Sequence, residues 1–477
     1  MVIHMVGRIL EIEAMLFLAP LVCSLIYGET KIALWFILCA AAAFVLGFAA
    51  SRVKTVRREI FAKEGFLIVT VAWVVMSLVG ALPFTLSGEI PSYIDAFFET
   101  VSGFTTTGAS ILDDVEAMSH GLLFWRSFTH WVGGMGVLVF VMAILPTESG
   151  GRSIHIMRAE VPGPIVGKLV PKIRDTAKIL YLIYVAMTAL EVVLLICGGM
   201  PLFDSLLHAF GTAGTGGFGI KADSITSYSP YLQWVITVFM LLFGVNFNLY
   251  YLLLIGKFRS VFKSSELWTY FAIVAVSTAA ICINILSVCR GFAEALRLSS
   301  FQVATIVTTT GYATADFNAW PEFSRHLMIA LMFVGGCAGS TAGGLKISRL
   351  MLAFKMIRRE LKKLLRPRSV SVVKLEGKTV DAQTLSTTAI YLITYAVLLF
   401  FLFLLVALDG KDVESTFTAV LSCFNNVGPF LSKTGYIASY SHFSGFSKVL
   451  LSLAMLLGRL EIFPILVTLS PSMWKRQ

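Results

Sequence analysis

The sequence predicts an all-α polytopic membrane protein with four parallel repeats of span, half-helix and span around a central axis. Two further transmembrane helices precede the repeats. Three observations carry this expectation. Hydrophobic residues make up 57% of the 477 and charged residues only 14%, with a mean hydropathy of +0.82. Soluble domains average about 45–50% apolar and about 25% charged. The apolar residues fall into ten long segments, which matches the room for roughly ten crossings of ~20 residues each. Between those segments, four stretches rich in Gly, Thr and Asn recur with a shared ending. A soluble enzyme and a secreted disulfide scaffold are excluded, because a soluble protein this apolar could not cover its surface with polar groups.

In chain order the apolar segments lie near 10–27, 32–50, 65–86, 120–145, 178–199, 230–256, 268–289, 325–352, 386–408 and 446–469. The start of the chain, with Glu11 and Glu13 beside an apolar run, reads as a retained span and not as a signal peptide. Residues 1–58 form the N-terminal two-helix hairpin. The stretches too short or too polar to cross are 91–110, 201–219, 294–314 and 413–430. They end in Thr105-Thr106-Thr107-Gly108, Gly214-Thr215-Gly216-Gly217, Thr308-Thr309-Thr310-Gly311 and Asn425-Asn426-Val427-Gly428, the final glycines lying 109, 94 and 117 residues apart. A period on that scale marks internal repetition, here in units 59–175, 176–264, 265–380 and 381–477. Each unit begins and ends on the same side of the membrane, so the repeats are parallel and not inverted.

The net charge of +10 reads as topology and not as a nucleic-acid footprint. Basic residues gather in loops: Arg52, Lys54, Arg57, Arg58 and Lys63; Arg152, Arg158, Lys168, Lys172, Arg174 and Lys178; Lys257, Arg259 and Lys263; and a run from Arg349 through Arg358, Arg359, Lys362, Lys363, Arg366 and Arg368 to Lys378. Residues 87–119 hold six acids and no Lys or Arg. The positive-inside rule assigns the basic loops to the cytoplasm and the acidic one to the outside. An even number of spans then places both termini in the cytoplasm, where Lys475 and Arg476 agree. The long basic run suits anionic lipid or a cytosolic partner. Seven cysteines form no CxxC and seven histidines no HExxH, so neither a disulfide framework nor a metalloprotease centre is implied. An intramembrane enzyme lacks a visible catalytic constellation.

A half-helix that enters the bilayer and turns back leaves carbonyls that lipid cannot satisfy. Such backbone survives only when buried in protein or lining water. Four of them around one axis place short extended segments at the centre, whose carbonyl, Thr and Asn oxygens replace the hydration shell of a permeating cation. The potassium-channel filter is the standard example of that coordination. Helix C-termini aimed at the axis carry partial negative charge and favour a cation, and glycine lets carbonyls turn inward without a Cβ clash. The alternative is close helix packing through small residues, which does not require Gly four times after Thr- or Asn-rich half-spans. Gly214, Gly216 and Gly219 also satisfy GxGxxG, but no βαβ context surrounds them.

The second informative stretch is 335–344, where Gly335, Gly336, Gly339, Gly343 and Gly344 flank Cys337, Ser340 and Thr341. Five glycines cost about 1 kcal/mol each in a helix interior, so the span breaks there. The segment then serves either as a mobile gate or as a tight packing face. Arg459 lies deep in the last span, where a charge needs a cavity or a partner. It either faces the pore or pairs with Glu191 or Glu461. Lys346 reads as snorkelling to the cytoplasmic interface, and Asn246 and Asn248 as contacting water or bridging helices. Outside, Asp95, Glu99, Asp113, Asp114 and Glu116 can concentrate cations. Solvation is the default for Asp113 and Asp114, while Glu99 sits within a half-helix.

FTTTGAS at 104–110, TGGFG at 215–219, TTTGYATADF at 308–317, NNVGP at 425–429, GGCAGSTAGGLK at 335–346 and GRLEIFP at 458–464 together resemble the TrkH/KtrB/HKT superfamily of potassium transporters. The resemblance runs in order over about residues 60–470, and the two extra N-terminal spans fit its TrkH branch. It implies potassium uptake through M1-P-M2 repeats, with K⁺ as the carried ion and no cofactor in the chain. It implies that Gly108, Gly217, Gly311 and Gly428 are filter glycines, that 335–344 is the intramembrane gate and that Arg459 faces the pore below the filter. It further implies a homodimer with one pore per protomer and a cytosolic TrkA-like nucleotide-binding ring, docked in our reading on the basic run. Some relatives with Ser at the first filter position favour sodium, so Gly108 points to potassium. Competing readings are a K⁺ carrier coupled to H⁺ or Na⁺ and a less selective K⁺/Na⁺ pathway. The parallel repeats argue against the inverted layout common among carriers.

Overall fold

The computed structural model describes residues 1–53, 62–136, 173–368, 371–431 and 439–474. The boundary at 58/59, most of the basic loop through Arg152 to Lys172, the end of the 120–145 segment, Lys54, Arg57, Arg58, Lys475 and Arg476 lie outside them. Among the described residues the chain is helical almost throughout, with one two-stranded antiparallel hairpin, Lys374–Leu375 against Lys378–Thr379.

Among the described residues six helices are long and apolar enough to cross a membrane: Val2–Ile26, Thr30–Ser51, Glu64–Ser87, Ala177–Cys197, Ser265–Ile285 and Ala382–Asp409. Polar caps fix where several elements begin. Ser264 accepts the Leu267 N–H, Asp381 the Thr384 N–H and Ser229 the Leu232 N–H, each satisfying a donor the first helical turn leaves open. The outer faces of these helices are apolar and exposed, with Leu182, Val193, Ile283, Phe400 and Phe401 among them. The centre is where Thr, Ser and Asn are buried. That inversion is what a lipid solvent on the outside requires.

Two of the apolar segments read as single spans are bent instead. Segment 230–256 is two helices, Pro230–Phe243 and Phe247–Leu254, meeting at 91°, and segment 446–469 is Gly445–Arg459 and Phe463–Leu469, meeting at 119°. At the first bend Asn246 accepts the Asn248 N–H and starts a new helix. At the second, Glu461 and Ile462 take left-handed backbone, with φ of 56° and 65°, and Pro464 opens the next helix, since proline cannot continue the preceding one. Segment 325–352 is Glu322–Met332, an irregular stretch, and Ile347–Leu365, in keeping with the break read from its glycines. In segment 120–145 the helix is His120–Gly134.

Four short helices fill the middle: Tyr93–Phe104, Leu202–Gly214, Phe292–Val307 and Val413–Asn425. At ~1.5 Å per residue they reach only part-way through a bilayer. Phe98, Val101, Phe104, Val303, Ile306, Val307, Val420, Leu421 and Phe424 on three of them are buried in the largest core cluster.

Candidate functional site: a ring of four loops

All four half-helices stop in the same way. The N–H of Thr107 donates to Ser102 O at 2.9 Å, that of Gly216 to Gly211 O at 2.8 Å, that of Thr310 to Thr305 O at 2.8 Å and that of Val427 to Ser422 O at 2.9 Å. The residue before each donor is left-handed: Thr106 at φ 54°, and Thr215, Thr309 and Asn426 at 56°. This is the Schellman ending, usually made with glycine. Threonine in that conformation costs about 1–2 kcal/mol, and a strained residue persists only where its surroundings over-determine it. Two residues on, Gly108, Gly217, Gly311 and Gly428 are again at positive φ, between 71° and 99°. Four tetrapeptides of three different sequences thus share one backbone path.

The four paths close on one another in chain order. A Cβ on Gly108 would collide with the carbonyl oxygen of Gly216, one on Gly217 with that of Thr310, one on Gly311 with that of Val427, and one on Gly428 would sit 2.5 Å from that of Thr107. Each glycine is therefore pressed against the carbonyl just before the next loop's glycine. All four also line a single cavity of about 270 Å³, together with Arg126, Asp113, Lys221, Tyr440 and His442. The structure brings the sixteen residues 105–108, 214–217, 308–311 and 425–428 to this ring.

Their side chains mostly brace the loops. Thr105 and Thr308 donate to the helix carbonyls of Val101 and Ala304, and their hydroxyls meet those of Thr107 and Thr310 at 2.8 Å. Asn426 donates to Thr107 Oγ1 at 2.9 Å and to Met455 O at 3.0 Å, joining the last loop to the first. Gly214 and Gly216 back onto His130, whose ring stacks on Phe218 at 4.1 Å. Tyr440 donates its hydroxyl to Gly428 O at 2.8 Å and its N–H to Ser110 O at 2.9 Å.

Glu99 is a correction. It is buried, and Arg126 Nε donates to its Oε1 at 2.5 Å. The carboxylate also accepts from Ser110 Oγ and the Ile111 N–H, both at 2.9 Å, while Arg126 reaches Gly219 O at 2.8 Å and stacks over Phe218. The pair staples loop 1 to loop 2, so Glu99 is a neutralised brace and not a cation-concentrating acid. Sequence reading missed Arg126, although a lone arginine inside an apolar segment is a signal of this kind. Of the other acids, Asp95 pairs with Lys448 at 2.6 Å, Asp114 accepts the N–H groups of Glu116 and Ala117, and Glu116 accepts that of Ala222.

Beneath the ring lies the irregular stretch 333–346. Gly335, Gly339, Gly344 and Lys346 have positive φ. The Gly343 N–H donates to Thr309 Oγ1 at 2.6 Å, and a Cβ on Gly343 would lie 2.5 Å from Asn425 O, so this loop touches the ring from below. It also joins the bend in the second repeat: Cys337 N donates to Gly244 O, Phe247 N to Gly339 O, both at 3.0 Å, and Thr341 Oγ1 to Phe243 O at 3.2 Å. Ser340 donates to Cys337 O at 2.7 Å, and Gly336 accepts the Ile347 N–H. Arg459 donates to Thr341 O at 2.9 Å, to Gly134 O at 2.8 Å and to Gly133 O. It bridges this loop to the end of the helix in the first repeat, while Glu461 bonds Arg349. Lys346 does not snorkel: it is buried, with its ammonium on Ala342 O.

Apolar outer helices around four buried, inward-ending half-helices define a multi-pass membrane protein of the transporter class. The chain belongs to the TrkH family, described as cation transport proteins, whose sequence model matches residues 29–476. It is 38% identical over 425 residues to the Trk system potassium uptake protein TrkH of Salmonella typhimurium, covering 87% of both chains. It is 33% identical over 486 residues to TrkH of Vibrio parahaemolyticus, covering 99% of each. It is 31% identical over 488 residues to Trk system potassium uptake protein TrkG of Escherichia coli, covering 99% of this chain and 98% of that one. The crystal structure of the potassium transporter TrkH from Vibrio parahaemolyticus superposes with a TM-score of 0.88 at 31% identity, covering 99% of both chains.

Proposed function

We propose that this chain is the membrane subunit of a potassium uptake system and that K⁺ passes through the ring of residues 105–108, 214–217, 308–311 and 425–428. The observation that carries this is the closure of four equivalent loops, in chain order, on one cavity lined by all four glycines. Backbone carbonyls replace water around a dehydrating cation, and four helix C-termini ending at the ring favour positive charge. The one arginine of the braces, Arg126, is compensated by Glu99 and leaves that field in place. The units 59–175, 176–264, 265–380 and 381–477 are four parallel M1-P-M2 repeats, and residues 1–58 are the added pair of spans. Relatives named as potassium uptake proteins support K⁺ as the cargo.

The loop 335–344 with Arg459 closes the path below the ring. A guanidinium within reach of the pore repels a cation, and its bonds to Thr341 and Gly134 hold the loop across the path. The protein sits in the cell membrane with both termini cytoplasmic, as a homodimer. A TrkA-like nucleotide-binding partner, implied by the Trk-system naming of the relatives, docks on the basic run 349–378. Uptake of labelled Rb⁺ into K⁺-loaded liposomes, competed by external K⁺ and Na⁺, tests the reading. Uptake blocked by K⁺ and not by Na⁺ is expected. Equal competition by both ions overturns K⁺ selectivity, and no uptake even with the loop shortened overturns the pathway.

A further inference from the structure

The loop beneath the ring is tied to Thr309, to the bend after Phe243 and to Arg459, and one further tie is a carboxylate from elsewhere. Glu266, in the first turn of helix Ser265–Ile285, accepts the Ala338 N–H on Oε1 at 2.7 Å. Glu266 is itself held from outside the bundle. Its own N–H donates to Glu376 Oε1 at 3.1 Å, and the same oxygen accepts from Ser265 Oγ at 3.0 Å and Ser264 Oγ at 3.3 Å. Glu376 occupies the tip of the hairpin Lys374–Thr379, where it and Gly377 have φ of 50° and 75°, the paired positive values of a tight two-residue turn. The hairpin is anchored on helix Ile347–Leu365, which leaves the loop at its other end: Leu375 and Val373 are buried with Leu352, and Lys355 Nζ donates to Lys374 O at 2.8 Å. The loop 333–346 is thus gripped at Ala338 through two carboxylates in series and at Ile347 through the helix that carries the hairpin.

We propose that Glu266 is a positioning residue for the intramembrane loop and that the hairpin at 374–379 sets its position through Glu376. The inference rests on the reading of that loop as the gate. Glu376 caps the first turn of the neighbouring span, so the hairpin carries the group that fixes where that turn sits. A carboxylate accepts charge-assisted bonds from N–H groups, which are stronger than neutral ones, and it has no need of an ion pair to do so. Displacing the hairpin, as a partner bound to the adjoining basic helix would do, removes the acceptor that holds the first turn of the helix carrying Glu266, so that the carboxylate shifts away from Ala338.

Rb⁺ uptake by the full-length protein in K⁺-loaded liposomes, without any partner, tests this. Glu266→Ala is expected to raise basal uptake by about threefold to tenfold, the range that loss of one hydrogen bond gives in a two-state equilibrium, with the K⁺ over Na⁺ preference unchanged. Glu266→Gln, which keeps an acceptor oxygen, is expected to stay near the parent. Glu376→Ala, on the exposed turn and harmless to folding, is expected to raise uptake as well, and the double Ala variant to do no more than Glu266→Ala alone, because the two act in series. Parent-like uptake in both Ala variants, or effects that add, overturns the inference. A variant with 339–342 deleted separates the two levels: if it raises uptake and Glu266→Ala does not, only this inference falls, whereas parent-like uptake in the deletion removes the gate reading and the inference together.

Discussion

The ring and the loop beneath it are both glycine-rich, both non-helical and both buried at membrane depth, yet they are held in opposite ways. In the ring, four segments of three different sequences adopt one conformation and support each other, each glycine lying on the carbonyl of its neighbour. Every contact is repeated, so a disturbance at one junction meets three that resist it. The loop at 333–346 has no such symmetry. Its bonds go to Thr309, to Phe243 and Gly244 at one helix end, to Glu266 and to Arg459, on four different elements. A self-closing ring suits a constant task such as coordinating an ion, whereas a segment held by several separate elements shifts when any one of them moves.

The comparison makes predictions that run from large effects to small. Arg126→Ala strands Glu99 as an uncompensated buried charge and is expected to destabilise the protein by about 3–5 kcal/mol, read as a fall in the thermal unfolding midpoint in detergent. A variant that melts with the parent would show that the staple between loops 1 and 2 carries little. Gly217→Ser forces a side chain onto the Thr310 carbonyl and is expected to cut K⁺ over Na⁺ discrimination about tenfold, or about 1.4 kcal/mol. Gly428→Ser, where the space is less tight, is expected to do less. Unchanged permeability ratios in both would sink the ring as the selective element.

Arg459→Gln leaves buried carbonyls of Thr341 and Gly134 short of a donor and is expected to cost about 1–3 kcal/mol. It should also raise basal Rb⁺ uptake without changing selectivity, so loss of selectivity instead would place Arg459 with the ring and not with the loop. The smallest structural effect is expected from reversing Arg358, Arg359, Lys362 and Lys363 to Glu, since three of them are exposed and Arg359 is half-buried. Stability should stay within about 0.5 kcal/mol per site, while nucleotide response through the partner is abolished. A retained response would move the docking face elsewhere.

Much of the ring was legible along the chain. Thr- and Asn-rich tetrapeptides ending in glycine recur at a regular interval, and the left-handed endings follow from where each half-helix must stop. The break at 335–344 was equally visible, because five glycines in one span oppose a helix. The bends at 244–246 and 460–462 were not read, although Pro464 marked the second. Glu99 stands apart from the loop acids by its place in a half-helix, but its partner Arg126 lies 27 positions away on another helix and leaves no local sign. Glu266 drew no notice at all, since an acid at the edge of a span looks solvated until the hairpin and the loop are brought to it.

What the sequence by itself determined is the membrane class and the positions of the four glycine-ended stretches. These depend on composition and period, which are local properties of a chain. Only the tertiary structure decided which carbonyl faces which glycine, which acid is neutralised and what grips the loop. Asn426 bonds Thr107 across 319 positions, and Lys448 meets Asp95 across 353. Such pairings exist only once the four loops and their helices have packed together, because packing fixes neighbours by geometry in space and leaves no periodic trace along the chain.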